Sequence, residues 1–158
     1  MTSTDFYHSV TATGLSQFIQ RTHGVIAGIQ MVHIICLASV FALGLALALK
    51  LAGRGFDSES LAGLSRRFVP AIWILVALLL VTGALLIIAE PVRSLPKPVF
   101  YIKMALIVLA LIMTSAVAAR ARRAERAGAT APVSKTIALV YMLVWCSIIF
   151  AGRMIAYY

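Results

Sequence analysis

The chain has 158 residues, 62% of them hydrophobic and 12% charged, and a mean hydropathy of +1.00. A water-soluble domain of this size needs far more polar surface, so the composition excludes one and makes the bilayer the solvent. A net charge of +9 with a pI near 10.3 would point to nucleic acid in a soluble chain. Here the cations lie between apolar runs, where they set topology and meet anionic headgroups, and nucleic acid is not an expected partner.

The opening residues Met1–Asp5 carry no basic segment followed by an apolar one, so the first apolar run is expected to stay as an anchor and not be cleaved as a signal. Residues 5–22 are mixed in polarity. Phe6, Val10, Leu15, Phe18 and Ile19 approximate one helical face, with Ser9, Thr13, Ser16, Gln17, Gln20 and Arg21 among them. This pattern predicts an amphipathic interfacial helix leading into the membrane.

Four apolar runs follow, at Gly24–Leu51, Pro70–Ala89, Val99–Ala119 and Thr136–Ala156. Each exceeds the ~18 residues that mark a spanning helix. Backbone groups in lipid must be satisfied within the segment, so these runs are expected to be helices. Pro70 suits a first helical position, and Glu90-Pro91 ends the second run. Between the first two runs, Leu61, Leu64 and Phe68 recur at helical spacing behind Asp57 and Ser58, which predicts a short, separate surface helix. Residues 120–135 are rich in Arg, Ala and Gly and read as an extension of the third helix. The expected fold is all-α: one integral membrane domain over 1–158, a four-helix transmembrane bundle running up-down-up-down behind an N-terminal interfacial helix.

Lys and Arg counts orient the bundle. Lys50, Arg54, Arg66, Arg67, Arg120, Arg122, Arg123, Arg126 and Lys135 make nine on one side, against five (Arg21, Arg93, Lys97, Lys103, Arg153) on the other. The positive-inside rule places the nine in the cytoplasm, which predicts a multi-pass bacterial inner-membrane protein with both termini periplasmic.

In that topology every helix sends a polar group into one half of the bundle. His33 lies about 13 Å along the first span from Gly24, with Gln30 three residues before it and Cys36 three after. Lys103 lies about 6 Å into the third span, Arg153 is close to the end of the fourth, and Glu90 and Arg93 follow the second. Thr82 and Tyr101 would add hydroxyls. Ionisable groups are costly in hydrocarbon and tend to face a bundle interior, a cavity or a ligand.

Several readings stay open. In one, Lys103 and Arg153 snorkel to headgroups, Glu90 pairs with one of them, and His33 is a hydrogen-bonded packing residue. In a second, the half-bundle binds b-type haem for electron transfer or haem-linked redox chemistry. His33 would be the axial metal ligand, and Arg93, Lys103 and Arg153 would hold the propionates, with Gln30 beside the site. The remaining histidines, His8 and His23, lie outside the runs. A single haem would therefore need Met, Lys, water or a histidine from a second subunit as its other ligand. In a third, His33 and Cys36 with Met31 or Met104 handle copper. In a fourth, Gln30, His33 and Lys103 hold a quinone or other lipid-like ligand. No G-x-S-x-G, H-E-x-x-H or P-loop pattern supports a hydrolase.

Gly24 and Gly28, continued by Ala38, Ala42 and Ala46, form small-residue faces suited to close helix approach. Those faces would serve packing within the bundle, a homodimer, or docking as an accessory subunit of a larger membrane complex.

A family resemblance rests on Gln30-x-x-His33, Arg66-Arg67-x-x-Pro70, Thr82-Gly83-x-Leu85-Leu86, Glu90-Pro91-x-Arg93 and Phe100-x-Ile102-Lys103. Over roughly residues 10–120 the chain resembles a group of uncharacterised bacterial four-helix inner-membrane proteins. More distantly it is similar to the CopD-type copper-resistance membrane domain and the HemJ-type protoporphyrinogen oxidase, which share a first-span histidine and a third-span lysine. The first of these implies copper handling and the second a b-type haem. Phe100, Tyr101 and Ile102 stand where the HemJ-type family has a histidine close before that lysine.

Overall fold

A computed structural model describes residues 12–22, 24–55, 58–91, 95–129 and 134–157. Among them are five helices: α1 (Gly14–Arg21), α2 (Val25–Leu51), α3 (Leu61–Ala89), α4 (Pro98–Arg126) and α5 (Lys135–Tyr157). The last four are long and apolar enough to cross a membrane, and the chain is a multi-pass membrane protein. Their outward faces carry large apolar side chains such as Ile34, Ile74, Ile112 and Phe150, each more than half exposed. In water such surfaces would aggregate; in lipid they are solvated. Neighbouring helices run antiparallel in a closed ring, α2 against α3, α3 against α4, α4 against α5, and α5 back against α2.

Two of the expected boundaries are corrected. No separate surface helix precedes the second span, because Leu61, Leu64 and Phe68 are the first turns of α3 itself. The N-cap is Ser60, whose hydroxyl accepts from the Gly63 backbone N–H at 2.9 Å; Ser58 lies before it, and Asp57 falls outside the described residues. Leu61, Leu64 and Ser65 are buried, so packing carries the helix two turns ahead of Pro70. Pro70 is an interior residue, not a first one. Its missing N–H leaves the Arg66 carbonyl without a helical partner, at an exposed position where water can supply one. The third span likewise runs on to Arg126, and its last two turns are tied to α3 by a forked ion pair between Arg66 and Glu125, 2.7 and 3.2 Å. At the same end the Ser134 N–H donates to the Leu51 carbonyl at 2.9 Å, fastening the start of α5 to the end of α2.

The interfacial helix α1 begins at Gly14, where Thr13 caps it by accepting from the Ser16 N–H at 3.4 Å. Phe6 and Val10 lie outside the described residues. The face that α1 buries is Ser16 and Ile19, whereas Phe18, expected on the same face, is 62% exposed. Gln20 explains the docking: its amide donates to the Ala89 carbonyl at 2.7 Å and to the Ser16 hydroxyl at 3.0 Å. The first bond satisfies an orphan carbonyl in the last turn of α3.

The bundle is unevenly filled. Its core, including Val40, Leu47, Leu61, Leu64, Ile72 and Val117, lies toward the end rich in arginine. Toward the other end no residue of α2 from Val25 to Ile35, and none of α4 from Pro98 to Leu109, is fully buried. That is the half that holds His33 and Lys103, and there the buried side chains come from α3 and α5, at Thr82, Ala89, Ile148 and Ala151.

Candidate functional site

His33 projects from α2 toward α3, and its Nδ1 is 2.7 Å from the Thr82 hydroxyl. Threonine back-bonding decides the direction of that bond. The Thr82 hydroxyl lies 2.8 Å from the Leu78 carbonyl one turn back, a group that can only accept. Its single proton is therefore given to Leu78, and its lone pairs accept from His33 Nδ1–H. This arrangement favours the Nδ1–H form of the imidazole, in which Nε2 keeps its lone pair. Gly83 makes the approach of ring and helix close: a Cβ built there would stand 3.5 Å from His33 Cε1.

Lys103 enters from α4. A Cβ on Gly152 of α5 would lie 3.4 Å from its Nζ, so the ammonium rests against a bare stretch of α5 backbone. Among the described residues it makes no hydrogen bond and no ion pair, although it is only partly exposed. An ammonium in hydrocarbon without an acceptor is costly. The two functional groups are thus a nitrogen lone pair and a three-proton cation, brought to one end of the bundle by different helices.

The remaining candidates are placed as follows. Gln30 is exposed on α2 and makes no hydrogen bond among the described residues, so it is not drawn in beside His33. Arg153 is exposed at the end of α5, and neither it nor Glu90 is without an interaction partner. Arg93, His8 and His23 lie outside the described residues. Cys36 is buried one turn from His33, while Met31 is 60% exposed and Tyr101 likewise, so neither Met31 nor Tyr101 adds to the site. Among the described residues no three His, Cys, Asp or Glu side chains gather to hold a metal ion. Haem, which needs one axial nitrogen from the protein, is compatible with that; of the copper set, His33 is half-buried, Cys36 is buried and Met104 is half-buried on α4, while Met31 is exposed.

Lys97 fixes the geometry near the mouth of this half. Its ammonium donates to the Ile155 carbonyl at 2.8 Å, joining the start of α4 to the end of α5 where the helix dipole favours a cation.

A second polar layer lies deeper, and the sequence reading passed over it. Thr114 of α4 donates to the Ala110 carbonyl at 2.7 Å, and the Tyr141 hydroxyl of α5 is 2.8 Å from Thr114 Oγ1. By the same logic Tyr141 is the donor. Tyr141 meets Trp145 edge to face, ring centres 6.3 Å apart. Both rings press on Gly44 of α2, where an added Cβ would be 3.1 Å from Trp145 Nε1 and 3.4 Å from the Tyr141 hydroxyl. Thr114, Tyr141 and Trp145 are all at most 2% exposed. The available signal was a threonine inside an otherwise apolar helix and a glycine on the inward face of another.

Compared with protein-family models, curated proteins and solved structures, the chain matches none.

Proposed function

We propose that this protein binds a redox cofactor, b-type haem, in the half of its bundle that holds His33 and Lys103, with His33 as the axial ligand and Lys103 as the anchor for an acidic group. The observation that carries this reading is the pair of short contacts from His33 Nδ1 to the Thr82 hydroxyl, 2.7 Å, and from that hydroxyl to the Leu78 carbonyl, 2.8 Å. They favour an imidazole that gives Nδ1–H to Thr82, which itself donates to Leu78, and keeps Nε2 as an acceptor. Ligand histidines are commonly held in this way, through a hydrogen bond at the other ring nitrogen. The Lys103 ammonium, which has no ion-pair partner among the described residues, supports it, since a propionate would supply a counter-charge.

Bound haem would supply one-electron redox chemistry. The chain's own part is to fix the tautomer and orientation of His33, to place a cation at the acidic edge, and to surround both with apolar side chains. By the charge count, this half faces the periplasm of a bacterial inner membrane.

The test is the absorbance spectrum and iron content of the purified protein. A Soret band that disappears in His33→Ala, with helical content unchanged by circular dichroism, is the expected result. A colourless, iron-free protein from haem-replete cells would overturn the reading.

A quinone-type ligand is the second reading. The site pairs one acceptor, Nε2, with one strong donor, Lys103, which suits a quinol hydroxyl and a carbonyl respectively. It predicts quinone in solvent extracts of the protein, reduced in Lys103→Met, in place of a Soret band. Both readings require the site; an accessory subunit packing through Gly24, Gly28 and the alanine face would instead tolerate His33→Ala and co-purify with partners.

A further inference from the structure

The opposite end of the bundle holds a cavity of about 280 Å³. All four long helices or their ends contribute to it: Leu51 ends α2, Leu61 begins α3, Met113, Val117 and Arg120 lie on α4, and Ser134 precedes α5. Its polarity is graded along α4. Met113 and Val117 form the apolar depth, and Arg120, about 10 Å along the helix from Met113, stands at the end facing water and headgroups. Arg120 is exposed yet lines the cavity, so its stem forms wall while its guanidinium reaches the rim.

The charge around that rim is one-sided. Arg66 is paired with Glu125 and Arg67 with Glu59. Arg54, Arg120, Arg122, Arg123, Arg126 and Lys135 have no ion-pair partner among the described residues. An apolar slot with a guanidinium at its mouth, inside a cationic field, is complementary to one kind of molecule: an acyl chain joined to an anionic phosphate.

We propose that this cavity is a binding site for an anionic phospholipid, with one acyl chain lying between α4 and the ends of α2 and α3, and the phosphate held by Arg120. The cavity is at the small end of the range for ligand pockets, so it takes part of one chain and not a whole lipid. The bound lipid would wedge the α4–α5 hairpin against the α2–α3 hairpin at the end where the Ser134–Leu51 hydrogen bond already joins them. This site is separate from His33 and stands whether or not a cofactor is bound there.

The experiment is native mass spectrometry of the full chain in detergent, titrated with phosphatidylglycerol or with phosphatidylcholine of the same chains. The protein is expected to retain one phosphatidylglycerol in preference to phosphatidylcholine. Arg120→Gln should weaken that adduct about tenfold, the effect of losing one charge-assisted hydrogen bond. Arg122→Gln, the same charge change on an arginine that does not line the cavity, should leave it within about twofold. Ala116→Leu, which intrudes into the cavity from an exposed position, should weaken both lipids alike. Equal weakening by Arg120→Gln and Arg122→Gln would mean diffuse attraction and would overturn the proposal. So would equal retention of the two lipids, or no discrete adduct.

Discussion

The His33–Thr82–Leu78 chain makes an unequal prediction for its two ends. Thr82→Val keeps the side-chain shape but removes the acceptor of His33 Nδ1–H. Among the described residues, the N–H then loses the one partner it has within the bundle. Orphaning a buried donor costs about 1–3 kcal/mol, and interhelical bonds in membranes measure about 0.6–2 kcal/mol. With His33 only partly exposed, about 1 kcal/mol is expected.

His33→Leu removes the donor instead. Thr82 then still gives its proton to the Leu78 carbonyl at 2.8 Å, so nothing is orphaned, and the cost should be a few tenths of a kcal/mol. The double variant should match His33→Leu, and Thr82→Ser should match the parent. Unfolding in mixed detergent micelles against the mole fraction of denaturing detergent would give these free energies. Histidine ¹⁵N shifts would report the tautomer, which should be Nδ1–H in the parent and mixed in Thr82→Val. The directionality of the bond would be refuted if His33→Leu cost as much as Thr82→Val, or if the parent showed a protonated Nε2 beside a bare Nδ1.

The deeper layer obeys the same rule. Thr114→Val leaves the Tyr141 hydroxyl buried without an acceptor and should cost about 1–3 kcal/mol, whereas Tyr141→Phe leaves Thr114 bonded to Ala110 and should cost less; the same detergent titration checks this. Gly44→Ala should destabilise by about 1–3 kcal/mol through its clash with Trp145, while Gly28→Ala, where an added Cβ meets nothing within 4 Å, should be neutral or stabilising. Gln20→Ala removes the tie between α1 and the end of α3, so trypsin should cut after Arg21 several-fold faster in micelles, with the melting of the bundle hardly moved.

Much of the architecture was legible because hydropathy in lipid is a coarse signal that local rearrangement does not disturb. Gly24–Leu51 was placed within a residue of α2, and Thr136–Ala156 within a residue of α5 at each end. The second span was misjudged because a proline before an apolar run resembles a helix start. Burial of Leu61, Leu64 and Ser65 two turns earlier, which is a tertiary event, is what extends α3. Of the site, His33 and Lys103 could be picked out because charge and imidazole are rare inside apolar runs. Gln30 was grouped with His33 by spacing alone, and the ring of helices leaves it on the exposed side.

The sequence by itself determined that this chain carries four helices long and apolar enough to cross a membrane, since nothing else satisfies such apolar stretches of backbone in hydrocarbon. It also determined that an imidazole and an ammonium lie toward the same end. Tertiary structure alone decided that Thr82 and not Tyr101 partners the histidine, that Gly83 and Gly152 admit the two side chains, and that α2 and α4 bury no residue fully in the half that holds His33 and Lys103. Those outcomes depend on how four helices rotate against one another, and a rotation of a few tens of degrees would exchange the inward and outward residues without changing any helix's hydropathy.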